Sequence, residues 1–142
     1  MITIRIKGTR AETSLTVLGY ENTTAENTSD ANWLKVEVDL RVGSFSGLYS
    51  AAVTTHDFFH FKEELNRVLD DLKGKAVFLT DEGTIELEVE IDAGGKAVVT
   101  GKAKVVDLPK VNFSFHFETD QTYLNETLKD VETVIRHFPI VD

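Results

Sequence analysis

His56 and His60 are the first residues in this chain whose spacing suggests chemistry, because two imidazoles four apart on a helix can share one metal ion. Asp57 stands where the zinc-protease motif needs a glutamate, so the general base of that motif is missing. At about 100° per residue, His56, His60, Glu63 and Arg67 all fall opposite a stripe containing Phe58 and Leu65, which places them on the solvent face. Glu86, Glu88 and Glu90 are a second candidate, since paired carboxylates carry acid and base work in glycosidases. Alternating along one strand, however, they stand side by side in water, with Lys35, Arg41, Lys102 and Lys104 as the expected counter-charges. His116 alternates out of a Phe-rich strand, and His137 sits in a last helical turn, where a cation interacts favourably with the helix dipole. Neither has an evident partner for proton transfer. The expectation is no catalytic residue, no metal and no cofactor.

A different kind of signal comes from Asp30, Ala31, Asn32, Trp33 and Leu34, a run that ends a polar loop and holds the only tryptophan. Asp and Asn side chains close turns onto their own backbone, which suits the end of the loop from Glu21 to Asn32. Trp33 is set apart from Leu34 by parity: on a regular strand it shares the polar face with Lys35 and Glu37. There it is either covered by the loop or available to a partner, and a Trp ringed by polar groups is a common binding hot spot.

These residues need elements to position them. Ile2, Ile4 and Ile6 alternate with polar residues, and Leu15 and Val17 continue the pattern, so an opening hairpin turns around Thr9 to Glu12. Leu34, Val36, Val38, Leu40 and Val42 line one face of a long strand; Gly43 and Gly47 break it, and a shorter strand follows around Leu48 to Val53. Phe58, Phe61, Leu65, Val68 and Leu72 then recur at helical spacing, with Gly74 as a C-terminal cap. The second half repeats this order. A short strand near Val77 leads to a hairpin in which Val89 falls opposite Val99, Ile85 opposite Ala103 and Glu86 opposite Lys102. After a strand through Val111, Phe113, Phe115 and Phe117, Asp120 caps a helix striped by Leu124, Leu128, Val131 and Ile135. The predicted fold is α+β: an antiparallel β-sheet of about six to eight strands with two α-helices packed on one face, a two-layer sandwich.

Composition bounds the rest. A chain of 142 residues fits a single domain, 1–142, with enough core to fold unaided. The absence of cysteine suits a reducing cytoplasm, Met1 to Lys7 lack the apolar run of a signal peptide, and no segment spans a membrane, so a cytoplasmic location is expected. A net charge of −9 argues against nucleic acid and anionic membranes as partners; it reads first as solubility and, functionally, as attraction to a basic partner.

The order Gly19, Tyr20, polar loop, Asp30-Ala31-Asn32-Trp33-Leu34, amphipathic strand, Gly43-Ser44-Phe45-Ser46-Gly47, helix, and a closing helix ending Phe138-Pro139 resembles the WapI-type immunity proteins, small bacterial proteins. The resemblance spans nearly the whole chain, with Phe45 standing where a Trp is expected. It implies a non-catalytic cytoplasmic antitoxin that binds and neutralises a toxin domain, often a basic nuclease. Asp30, Asn32, Trp33 and Phe45 are the candidate partner-binding residues. The alternative is a small-molecule-binding or scaffold domain without catalysis, using a groove beside the Glu21 to Asn32 loop.

Overall fold

The computed structural model describes residues 1–21 and 31–141. Strand β1 (Ile2–Gly8) turns at Thr9 and Arg10 into β2 (Ala11–Tyr20), and β3 (Trp33–Val42) and β4 (Phe45–Thr54) complete an antiparallel sheet of order β1-β2-β3-β4. Helix α1 (Thr55–Asp71) follows directly. Strands β5 (Gly74–Phe78), β6 (Ile85–Ile91), β7 (Ala97–Val105) and β8 (Val111–Thr119) form a second antiparallel sheet of order β5-β6-β7-β8, and helix α2 (Gln121–His137) closes the chain.

The α+β class is as expected, with eight strands, but they divide into two four-stranded sheets rather than one. Period-two patterning says which face of a strand is buried and nothing about which strands are neighbours; α1 intervenes between β4 and β5, and those two never pair. Leu34, Val36 and Val38 of the first sheet and Ile85, Leu87 and Val89 of the second are buried in one continuous core that also takes in Phe58, Leu65, Leu124 and Val131 of the helices. The hairpin of β6 and β7 has the expected register, with Val89 opposite Val99, Ile85 opposite Ala103 and Glu86 opposite Lys102.

Three local expectations shift. Strand β4 starts at Phe45, so Gly47 lies inside it and breaks nothing. The left-handed residue that ends α1 is Leu72, at φ 57°, while Gly74, at φ 112°, opens β5 two residues later. The counter-charge for Glu88 and Glu90 is Lys75 on neighbouring β5, 3.8 and 3.9 Å away; Arg41 lies on the other sheet and pairs with Asp39 at 3.2 Å.

Sheet edges explain where the helices lie. Helix α2 runs along β1, where Asp130 Oδ2 accepts from the Arg5 amide at 3.1 Å and Thr127 Oγ1 donates to the Arg5 carbonyl at 2.7 Å. Helix α1 runs along β5, and Glu64 Oε1 accepts from the Val77 amide at 3.0 Å. Strand β8 meets the end of β1: the Thr9 amide donates to the Glu118 carbonyl at 2.8 Å and Thr119 Oγ1 to the Lys7 carbonyl at 2.6 Å. These bonds satisfy edge groups that would otherwise stay unpaired.

Close packing also constrains β7. A methyl group at buried Gly101 would run into the Phe115 ring, which is stacked between Phe113 and Phe117 and has no room to withdraw. Gly101→Ala is therefore expected to destabilise the fold by about 1–3 kcal/mol through overpacking; urea unfolding of the variant checks this, and an unchanged midpoint contradicts it.

Candidate functional site

Tyr20, Asn32, Phe138 and Pro139 converge on one structural clasp. Asn32 is 2% exposed, and its side chain is spent on the chain's other end: Oδ1 accepts from the Val141 amide at 2.7 Å and from Thr55 Oγ1 at 3.0 Å, while Nδ2 donates to the Val141 carbonyl at 3.1 Å. Its backbone carbonyl also accepts from the Thr55 amide at 3.0 Å. Beside it, Tyr20 OH donates to the Pro139 carbonyl at 2.7 Å and the Tyr20 ring meets Phe138 edge-on at 5.4 Å. A buried amide with these bonds joins the start of β3, the start of α1 and the C-terminal tail.

Asn32 thus holds Trp33 from behind. Trp33 is partly buried, on the face it shares with exposed Lys35 and Glu37, and it pairs with Thr54, the N-cap of α1. Phe45, 67% exposed, sits at the far end of the same hairpin against Phe113, with ring centroids 6.0 Å apart. Trp33 and the Phe45-paired Val42 are nine positions apart on β3, so the two aromatic residues are separated by about 30 Å and form no common site. Asp30 lies outside the described residues, as does most of the loop whose groove served the ligand-binding alternative. The apolar cleft beside Phe45, bordered by Tyr49, Ala103 and Phe113, measures about 210 Å³, below the size of ordinary small-molecule pockets.

Charge is distributed unevenly. The outer face of the first sheet carries Arg5, Lys7, Lys35 and Arg41 against Glu12, Glu37 and Asp39, which nearly cancel. The surface formed by α1, β5 and β6 carries Asp57, Glu63, Glu64, Asp81, Glu82, Glu86, Glu88 and Glu90 against Lys62, Arg67 and Lys75. A furrow of about 620 Å³ runs between α1 and β5, lined by Asp57, His60, Glu63, Glu64, Arg67, Val77 and Leu79. It shares Val77 and Leu79 with a second hollow of about 310 Å³ that crosses Glu86 and Glu88 on β6. The glutamate ladder, taken alone, reads as a solvated strand; only the packing of α1 on β5 adds the helix carboxylates to it.

Asp57 anchors the end of this furrow nearest Trp33. Thr54 Oγ1 accepts from the Asp57 amide at 3.2 Å and Asp57 Oδ2 accepts from the Thr54 amide at 2.9 Å, a reciprocal capping box. Burial raises the Asp57 carboxyl above its ordinary range and Asp81 adds to this, opposed by the two Thr54 hydrogen bonds and His56. His56 is exposed and His60 lines the furrow; among the described residues no three His, Asp or Glu side chains are arranged to hold a metal ion.

Comparison with known proteins adds three findings. A family model, described as the immunity protein WapI-like family, matches residues 3–139. No curated protein matches the sequence. Among solved structures, the plant transcriptional regulator PBF-2 superposes with a TM-score of 0.56 at 9% identity, covering 97% of this chain and 90% of that one, a likeness of fold alone. WHY3 from Arabidopsis thaliana gives 0.49 at 14% identity over 97% and 88% of the two chains. Trypanosoma bruciei MRP1/MRP2 gives 0.48 at 9% identity over 96% and 82%. Among the described residues no helix is long and apolar enough to cross a membrane.

Two outcomes follow from the geometry. Asn32→Ala strands the Val141 and Thr55 groups and is expected to cost on the order of 1–3 kcal/mol, read as a lower melting temperature. An unchanged melting temperature would remove the clasp from the account. For Asp57, a folded pKa above the unfolded value means stability that is full below about pH 4 and lost as pH rises through the folded pKa. Relative to Asp57→Asn, which keeps the acceptor for Thr54, the wild-type protein should therefore lose stability between about pH 4 and pH 7. Denaturant unfolding at the two ends of that range measures the gap, and a gap independent of pH would refute the assignment.

Proposed function

Because the chain belongs to the WapI-like immunity protein family, we propose that it works without catalysis, by binding a toxin domain and holding it inactive. The docking surface in this proposal is the acidic furrow of α1, β5 and β6, with Trp33 at its end; Asp30, outside the described residues, stays a candidate contact from the sequence alone. The observation that supports this is an uneven spread of charge: the outer face of the first sheet is nearly neutral, while eight carboxylates stand on α1, β5, β6 and the turn between these strands against Lys62, Arg67, Lys75 and, across on β7, Lys102. A basic nuclease is the toxin chemistry such a face suits, because a cationic groove built for phosphates is attracted to, and masked by, a row of carboxylates. Asn32, buried beneath, positions Trp33 and touches no partner in this reading. A cytoplasmic site of action goes with it, since a toxin must be met where it acts.

The test pairs this protein with candidate basic nuclease toxin domains, in growth rescue and in binding kinetics. Glu63→Lys combined with Glu82→Lys is expected to slow association on the order of tenfold at low salt and to flatten the salt dependence. Trp33→Ala is expected to act on dissociation, at a cost of about 2 kcal/mol or more. Melting temperatures of the same variants separate lost contacts from a loosened fold. Unchanged rates in both variants, with rescue intact, would defeat the proposed surface.

A further inference from the structure

Of the four sheet edges, β4 is the one whose edge backbone, from Phe45 to Val53, takes no hydrogen bond from another element among the described residues, although Phe45 packs on Phe113 and Tyr49 OH donates to the Thr84 carbonyl. Strands β1 and β5 are capped by Asp130, Thr127 and Glu64, and β8 is tied to β1 at its end. Along β4, no hydrogen bond reaches the backbone of Phe45 to Val53 from beyond β3 among the described residues. The strand is also long and regular: ten residues pair one to one with β3, with no register shift, no proline and no Asp, Glu, Lys, Arg or His. Such an edge is the kind that proteins ordinarily protect with charge, bulges or cover, since it templates pairing with another strand.

Gly47 is a second, independent observation. It sits in the interior of β4 outside the left-handed region, and a Cβ built on it meets nothing within 4 Å among the described residues. A strand-interior glycine forgoes packing and adds backbone entropy, and one that the monomer's own contacts do not require points to a close approach from outside. Phe45 and Leu48, 67% and 65% exposed, flank it.

We infer that β4 pairs antiparallel with β4 of a second copy of this chain about a two-fold axis at Leu48, joining two first sheets into one of eight strands. A two-fold axis perpendicular to the sheet brings together residues on the same face whose numbers are symmetric about 48. On the inner face this sets Tyr49 beside Gly47 of the second copy and Phe45 beside Ala51, a large ring against a small residue each time. On the outer face Leu48 meets Leu48, and Ser46 meets Ser50. Registers centred on Tyr49 or Ser50 lose this match, the first setting ring against ring at Tyr49 and the second leaving Phe45 beyond the paired strand. Charge selects the occupant. A basic partner strand would find no carboxylate on β4, whereas a second copy meets only neutral side chains there.

Sedimentation of the full chain across concentrations up to about 1 mM should show monomer passing to dimer, the range in which a small interface associates. Leu48→Lys opposes two like charges at the axis and should raise the dissociation constant at least about tenfold, with circular dichroism and melting temperature unchanged because Leu48 is exposed. The chain has no cysteine, so single-cysteine variants report the register: Leu48→Cys should form a disulfide dimer on mild oxidation and Ser50→Cys should not. A wild-type protein monomeric throughout, or a dimer indifferent to Leu48→Lys, overturns the inference. So does a monomer in which Leu48→Lys abolishes toxin rescue, which would give the edge to the toxin. The dimer stands or falls without reference to the acidic furrow of α1, β5 and β6, since Leu48 lies six positions along β4 from Thr54, the residue that pairs with Trp33.

Discussion

The constraint on which this structure depends is that unpaired backbone amides and carbonyls at sheet edges need partners. Two separate four-stranded sheets expose four edges, and the two helices lie along two of them, β1 and β5. Helix α2 brings Thr127 and Asp130 to the Arg5 peptide of β1, and α1 brings Glu64 to Val77 of β5. Each helix thus buries an apolar stripe in the shared core and satisfies polar groups that the core itself cannot reach. Gly8 belongs to the same economy: any side chain there would strike the Glu118 carbonyl, where β1 and β8 come together.

A second polar device closes the chain on itself. Asn32 is almost fully buried, yet its amide is bonded on both sides to Val141, so the start of β3 is held against the C-terminal tail more than a hundred residues away in sequence. Tyr20, Phe138 and Pro139 pack and bond around the same place. A buried amide is costly unless fully bonded, which makes such a clasp an all-or-none feature. Residues on which the resemblance rests therefore do at least part of their work in the architecture, and the clasp sets the backbone from which Trp33 projects.

Electrostatics divides the surface in a way that net charge conceals. The first sheet alternates cations and anions across its outer face, while around the furrow of α1, β5 and β6 carboxylates outnumber the cations Lys62, Arg67, Lys75 and Lys102. Within that furrow Asp57 is partly withdrawn from water and bonded into the helix cap, so its role there is structural as well as electrostatic. The two sheets thus present different chemistry, a neutral edge on one and an acidic groove on the other, and these suit different partners.

Sequence by itself determined what depends on local periodicity. Alternation placed Leu34 to Val42 on a half-buried strand, helical spacing placed Phe58, Phe61 and Leu65 inward, hairpin arithmetic set Val89 against Val99, and Asp120 marked the start of α2. The Asp30 to Leu34 run and the Gly19-Tyr20 and Phe138-Pro139 pairs carried a resemblance to the family whose model matches residues 3–139. Only the tertiary structure decided that eight strands form two sheets, because a buried face does not name its neighbour across an edge. It alone buried Asn32, since a polar residue at a loop end reads as a turn former until its partner, Val141, is brought 109 positions back along the chain. It set Trp33 and Phe45 at opposite ends of one hairpin, and it joined the β6 glutamates to the α1 carboxylates across β5. In each case the deciding contact links residues far apart in sequence, and short-range patterning carries no information about which distant surfaces meet.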